Sequence, residues 1–347
     1  MHSLEIRAPS CPFVVEKRDL SRAHRSSHAV KLSCIVPLYN CLPLTQAMWR
    51  TLQATLPPAL DHEVIFVDDG STDGTRDWLA TLPATAPQVR VVLQPENRGY
   101  AAANNAGAAL ARGEYLALLN NDLALLPRWL EPMLVLARRL GPRAGVIGNV
   151  QRAFATGAID HTGIVINLKG KPEHDRILPL RAHLPPTFAW RRAPAVTGAC
   201  LLVNRHLFTR IGGFNTTYRN GGEDVDFAFR CALEGRINAV ALRSVVRHHI
   251  SASPNRKLRD EENTRRLTLA WRDTLARHAA RRWCRHHLRR AWTASRDPRG
   301  EAFTAALLLA YALHLRPTPP PASLTAMHAA LDRELARWRR LLDDLKS

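Results

Sequence analysis

Leu116–Asp122 reads Leu-Ala-Leu-Leu-Asn-Asn-Asp, four apolar residues stopped by three polar ones. A short apolar run bounded by polar residues is the pattern of a buried strand. Its end therefore sets a carboxylate at the lip of a sheet. Most such Asp residues cap the next helix, so Asp122 alone leaves a cap and a ligand-binding residue both open. Its surroundings decide the fold. Lys31–Val36, Glu63–Val67, Val89–Leu93 and Glu114–Leu119 are strand-like, while Thr45–Leu56, Thr75–Leu82, Tyr100–Arg112 and Leu130–Leu140 have helical spacing. Strand and helix alternating over short connections predict a parallel sheet wound by right-handed crossovers. Each strand is followed by a polar cluster: Tyr39 with Asn40, Asp68 with Asp69, Asn97 with Arg98, and Asp122. Ligands of open α/β sheets bind at that edge, and four converging clusters point there more strongly than any single Asp.

The pattern changes after residue 145. Gly145–Asn149, Ile164–Leu168, Ala195–Val203 and Ile237–Leu242 read as further strands, and Gly198 inside one of them permits close approach by a ligand or backbone. Arg205–Ile211 is a short helix, and Gly221, Gly222, Glu223 and Asp224 open another over Val225–Glu234. Residues 169–194 are rich in Pro, Arg and His without a period, as in a binding loop or lid. Residues 251–347 are helical and Arg-rich. There Arg281, Arg282, Arg285, Arg289 and Arg290 read as a basic face around Trp283 and Leu288, and Ser323–Leu345 as a last amphipathic helix. Three regions follow: a tail over 1–30, an α/β domain over 31–253 and a basic helical region over 254–347.

With 347 residues, 46% of them hydrophobic, the chain can build a substantial core, which excludes global disorder. Lys and Arg number 49 against 30 Asp and Glu, a net charge of +19. That excess suits an anionic partner, or reflects a GC-rich genome that writes Arg freely. The six cysteines, Cys11, Cys34, Cys41, Cys200, Cys231 and Cys284, form no CxxC pair and no zinc spacing. Cys34, Cys200 and Cys231 read as core thiols in a reducing compartment. The first 30 residues lack the apolar stretch of a signal peptide, and no run of 18 apolar residues occurs. A cytoplasmic protein is expected, soluble or peripheral at the inner face of the membrane. Neither a GxGxxG nor a Walker lysine follows the first strand, which argues against a dinucleotide dehydrogenase and a P-loop enzyme.

Three groups carry chemistry. In Asp68-Asp69-Gly70-Ser71 a turn with a helix cap accounts for one Asp, and the other is placed to accept a base or ribose hydrogen bond. Glu223 and Asp224 start a helix, whose dipole favours carboxylates there. Neighbours on a helix diverge by about 100°, so one of the two faces a given site, where a carboxylate serves as general base. His248 and His249 follow a strand. They are ordinary structural residues unless a carboxylate such as Asp122 lies near, when a mixed N/O pair suits Mn²⁺ or Mg²⁺ carrying phosphate.

The segments IVPLYN (35–40), VDDGSTD (67–73), ENRGYAAANNAG (96–107), YLALLNND (115–122), TGACLLV (197–203), GGFN (212–215), GEDVDFAFR (222–230) and VVRHH (245–249) occur in this order. Together they resemble glycosyltransferase family 2, inverting enzymes of the GT-A fold, over about residues 31–253, and most closely its non-processive, rhamnosyltransferase-like members. The resemblance implies a Rossmann-like nucleotide-diphospho-sugar transferase fold, a mostly parallel sheet flanked by helices, here with a C-terminal helical extension. It also implies roles. Pro37, Tyr39, Asp68 and Arg98 form the nucleotide-base pocket with Asp69 beside it. Asn121 and Asp122 belong to the metal motif, in which Asp122 holds a divalent cation, Mn²⁺ or Mg²⁺, and His248 takes the place of a late metal-binding His. Asp224 is the catalytic base, Glu223 contacts the acceptor or orients the base, and Gly198 lines the donor sugar. The implied activity is hexosyl or deoxyhexosyl transfer from a nucleotide-diphosphate sugar to a glycan, lipid-linked or other hydroxyl acceptor, in cell-surface polysaccharide synthesis. The QxxRW motif and membrane helices of processive synthases are missing, which favours addition of one or a few sugars. The alternative is a non-catalytic binder of nucleotide sugar, glycan or nucleic acid. The C-terminal helices lack the aromatic platforms of RNA binders, so an anionic membrane is the expected partner of their basic face and nucleic acid is not.

Overall fold

The apolar runs of the first half become strands in a computed structural model that describes residues 32–249, 256–292 and 300–344; the tail expected over 1–30, Cys11 included, lies outside the described residues. In chain order the elements begin β1 (Leu32–Leu38), α1 (Leu42–Thr55), β2 (His62–Asp68), α2 (Thr75–Thr85), β3 (Val89–Leu93), α3 (Tyr100–Leu110), β4 (Tyr115–Leu119), β5 (Leu123–Leu125) and α4 (Glu131–Leu140). They continue through β6 (Ala144–Ala153), β7 (Ile159–His161), β8 (Ile164–Ile166), β9 (Pro172–His174), β10 (Trp190–Arg192), β11 (Cys200–Asn204), α5 (Arg205–Arg210), α6 (Glu223–Leu233) and β12 (Ile237–His248). The helices α7 (Arg256–Trp292), α8 (Gly300–Ala312) and α9 (Pro321–Asp344) follow.

The main sheet runs β10-β12-β6-β11-β4-β1-β2-β3. Side chains alternate across it with the strand period of two. Cys34, Val36 and Phe66 face α1, α2 and α4, while Ile35, Ile65 and Val67 face α3 and the helices that follow. Buried on both faces, the strands read as near-continuous apolar runs, as parallel strands do. The β3-β2-β1-β4 half is parallel, and β12 is parallel to β6. Between them β11 is antiparallel to both β4 and β6.

That reversal places the site. Cys200 pairs with Leu119, so the start of β11 meets the end of β4. Gly198 and the Asn120–Asp122 turn therefore share one edge, joined where the Asn120 N–H donates to the Ala199 carbonyl at 2.9 Å. The strand expected over Ala195–Val203 covers only Cys200–Asn204 because Thr197 and Gly198 leave the ladder to line a cavity. The strand expected over Ile237–Leu242 instead continues to His248 across an irregularity between Ala241 and Val245. Its end pairs with β5, which the sequence reading did not anticipate.

The C-terminal helices dock on the α3–α6 face through Leu267, Leu275, Met327 and Leu331. The backbone of α7 breaks at Trp271 (φ −127°, ψ 27°), whose indole N–H donates to buried Asp226 at 2.8 Å. Three arginines of the expected basic face have partners within the fold. Arg281 donates to the Tyr311 carbonyl and lies over the Tyr311 ring, Arg285 donates to the Ala312 carbonyl, and Arg282 pairs with Glu173. Arg281 and Arg285 thereby close the C-terminal end of α8, where unsatisfied carbonyls attract cations. No described helix is long and apolar enough to cross a membrane. Cys34, Cys200, Cys231 and Cys284 are buried thiols, and Cys41 is exposed.

Candidate active site

A cavity of about 420 Å³ opens at the shared strand edge. Pro37, Tyr39, Asp69, Asn121, Asp122, Gly198, Glu223, Asp224 and His248 line it, and Asp68 and Arg98 do not. Consecutive residues at a strand end point to opposite sides, so one Asp of the pair is turned away. Asp68 is fully buried, receives Arg76 Nε at 2.7 Å and accepts the Ser71 N–H at 3.2 Å. It builds the turn beneath the cavity edge, whereas the resemblance sets it in the base pocket. Asp69 faces the cavity and accepts the N–H groups of Arg98 and Gly99, each at 2.8 Å. Arg98 thus contributes its backbone while its side chain is exposed. Burial lifts the Asp69 carboxyl above its usual range, against the pull of those two N–H groups. Gly70 (φ 88°) lets this loop close on the next one: a Cβ there would sit 2.9 Å from the Asn97 nitrogen, which only glycine avoids.

Asp122 and His248 meet because β5 pairs with the end of β12, His248 opposite Leu123. The His249 N–H donates to the Asp122 carbonyl at 3.0 Å, and Asp122 Oδ1 lies 3.1 Å from His248 Nε2. Asn121 ties this turn to α1 by donating to Thr45 Oγ1 at 2.9 Å. The donor pair fits a hard divalent cation: one carboxylate oxygen and one imidazole nitrogen, separated as neighbouring ligands are when each bond is about 2.1 Å. No group of three His, Cys, Asp or Glu side chains suited to a metal occurs among the described residues. Such a pair leaves coordination positions for phosphate and water, the usual arrangement for Mg²⁺-type sites.

Across the cavity, Gly221 and Gly222 turn the chain into α6 with φ of 154° and 95°. Glu223 accepts the Gly221 N–H at 2.7 Å. Asp224 accepts the N–H groups of Gly198 at 2.7 Å and Val225 at 2.8 Å. The Gly198 carbonyl in turn accepts from the Tyr100 hydroxyl at 2.7 Å, so one peptide segment links base candidate and phenol. Burial raises both carboxyls, and the Asp224 charge pushes Glu223 further, up to about 7. The two N–H bonds restrain the rise of Asp224. The two carboxyls are thus raised together by burial, with hydrogen bonds to the ionised form opposing the rise at Asp224.

The sequence profile described as Glycosyl transferase family 2 matches residues 33–198, which hold the Asp69, Asp122 and Gly198 parts of this site. The chain carries a glycosyltransferase family 2 domain. It is 32% identical over 230 residues to the O-antigen biosynthesis protein RfbC of Myxococcus xanthus, covering 64% of this chain and 18% of that one. It is 27% identical over 241 residues to validoxylamine A glucosyltransferase of Streptomyces hygroscopicus, covering 60% of this chain and 53% of the other. The chain therefore spans well under two thirds of each relative's length. Among solved structures it superposes on GalNAc-T7 with UDP, GalNAc and Mn²⁺ at a TM-score of 0.60 and 15% identity, over 74% of this chain and 51% of that one. The likeness shows the GT-A fold.

The fold also brings to the cavity residues to which the sequence assigns no role. Tyr100, Asp160, His174, Arg219 and Asn220 all line it. His174 comes from the aperiodic 169–194 loop, with Nδ1 3.5 Å from Asp160, whose other oxygen meets Arg176 at 3.1 Å. The wall at Arg219 hangs from α7: Asn263 donates to the Arg219 carbonyl at 2.9 Å and accepts its N–H at 3.3 Å. Asn220 then accepts the Tyr100 N–H at 3.0 Å. Tyr100 stands within the ENRGYAAANNAG segment; no local motif marks the other four, because each reaches the site through tertiary pairing.

A prediction follows from Glu223, which is 5% exposed. Its folded pKa lies above the ordinary 4.5, so the stability that the protonated form provides is complete below that value and is lost as pH rises toward about 7. Glu223→Gln keeps an acceptor for the Gly221 N–H without the buried charge. It is expected to stabilise the protein by about 1–3 kcal/mol at pH 8, a few degrees in Tm, and to change little at pH 4.5. Melting curves at the two pH values check this, and a difference independent of pH rules out the raised carboxyl.

Proposed function

We propose that the protein transfers one hexose or deoxyhexose from a nucleotide-diphosphate sugar to a hydroxyl of a glycan or lipid-linked acceptor, by a single inverting displacement. The observation that carries this reading is the opposition, across one cavity, of the Asp224 carboxylate held at Gly198 to the Asp122–His248 donor pair. The family match, and a relative named for O-antigen biosynthesis, support a role in cell-surface polysaccharide synthesis. The Mn²⁺ and UDP of the GalNAc-T7 complex are consistent with a cation and a nucleotide at this edge.

In this reading Pro37, Tyr39 and Asp69 receive the nucleoside, and Gly198 lets the donor sugar approach the backbone. Asp122 and His248 would hold Mn²⁺ or Mg²⁺, which when bound neutralises charge on the diphosphate as a Lewis acid. Asp224 takes the proton of the acceptor hydroxyl as its oxygen bonds to the anomeric carbon. The carbon–oxygen bond to the diphosphate breaks on the opposite face, and the anomeric configuration inverts. The N–H groups of Gly198 and Val225, with the start of α6, favour the ionised form of Asp224 and oppose the effect of its burial. Glu223, beside Asp224 in the cavity wall, is placed to hydrogen-bond the acceptor.

Thermal melts against a panel of nucleotide-diphosphate sugars, with and without Mn²⁺, test the reading. One donor at about a hundred times its Kd is expected to add about 2.7 kcal/mol, and to require the cation. Stabilisation by glycans alone, with no nucleotide sugar effective, indicates a binding module instead.

A further inference from the structure

Residues 176–192 read RILPLRAHLPPTFAWRR, with four arginines, one histidine and no acidic side chain. Between β9 and β10 this segment inverts the ordinary rule of burial. The small residues Ala182 and Ala189 point inward and are buried, whereas Ile177 is 74% and Leu180 88% exposed, with Leu184 and Phe188 also on the surface. The loop is nevertheless tied down. Arg191 pairs with Asp175 at 2.8 Å, Arg181 donates to the Trp190 carbonyl at 3.1 Å, and Arg139 donates to the Thr187 carbonyl and lies over the Phe188 ring. Large apolar groups presented outward from an anchored base mark an interaction surface rather than incomplete packing.

The charge around them selects the partner. Arg176, Arg181 and Arg192 are exposed and flank the apolar tip in sequence, Arg176 also pairing with Asp160, and Arg139 stands beside the Phe188 ring. Aliphatic side chains reaching the headgroup–acyl boundary, with guanidinium groups at headgroup level, suit an anionic bilayer surface. The stems sit at the active site as well: His174 at the end of β9 lines the cavity, and β10 pairs with β12, the strand that ends at His248.

We infer that the 177–188 tip docks the protein on an anionic membrane surface and so presents the cavity to an acceptor carried there. The lipid-borne acceptor rests on the transferase reading; docking itself does not. The contact lies apart from the C-terminal arginines, of which Arg281 and Arg285 bind α8 carbonyls and Arg282 binds Glu173.

Flotation of the full chain with vesicles of phosphatidylcholine, with or without about one third phosphatidylglycerol, tests this. The wild type is expected to float with the anionic vesicles and to leave them in 0.5 M salt. Ile177→Ser/Leu180→Ser/Phe188→Ser is expected to lower the bound fraction about tenfold, with Tm and any nucleotide-sugar thermal shift unchanged. Leu180→Asp alone is expected to weaken flotation in the same direction. Equal flotation of wild type and triple variant overturns the inference, as does a wild type that stays unbound. A dimer in solution that the triple variant converts to monomer also overturns it, assigning the tip to an interface between copies. Since flotation needs no donor, a protein that floats without transferring sugar refutes the transferase reading alone.

Discussion

Asp224→Asn is expected to lower sugar transfer by about 10²–10⁴-fold, the usual contribution of a positioned general base. The substitution keeps the volume of the side chain, and its carbonyl still accepts one of the two N–H groups that Asp224 now receives from Gly198 and Val225. The amide nitrogen cannot accept the other. A modest structural effect therefore accompanies a complete loss of basicity. Donor-induced stabilisation should persist while kcat falls, which separates loss of the base from loss of binding. In the wild type, burial raises the Asp224 carboxyl, so activity should decline on the acid side as the base takes up its proton. A variant that retains transfer within a few-fold displaces the base elsewhere, and Glu223 is the neighbouring carboxylate to examine by the same substitution.

The second large effect is expected at Asp122. Asp122→Asn leaves a neutral oxygen opposite His248 Nε2, at a position now 3.1 Å from it. A hard cation held by one carboxylate and one imidazole loses its anionic ligand. Activity at low Mn²⁺ should fall by about 10²-fold or more, with partial recovery as Mn²⁺ is raised. Titrating activity against Mn²⁺ measures this, and an unchanged half-activating concentration removes Asp122 from the metal site. Asn121→Ala is a useful companion, because its side chain reaches Thr45 rather than His248 and should affect metal response far less.

The strand ends were legible because each apolar run stops abruptly at a polar cluster, and a parallel arrangement sends all those ends to one edge. The antiparallel setting of β11 was not, since pairing direction leaves no trace in an apolar run buried on both faces. Yet that setting brings Gly198 to Asp122 and Asp224. The three-residue strand β5 was too short to show alternation, although it positions His248. Asp68 and Asp69 carry the same chemistry in the sequence, and only the direction of each side chain assigns one to the turn and the other to the cavity. The arginines of α7 have the same spacing whether they meet solvent or close another helix, so their pairing with α8 emerged only from tertiary structure.

The suspension of Arg219 from Asn263 has an evolutionary consequence. One face of the reaction chamber is set by a side chain 44 positions downstream, on a helix outside the matched family region. Repacking of that helix can reshape the chamber while Glu223, Asp224 and the Asp122–His248 pair stay untouched. The shape of that wall is thus open to drift in the least motif-bearing part of the chain. By the same token, a chain shortened before α7 would keep every recognised motif and lose the support of that wall.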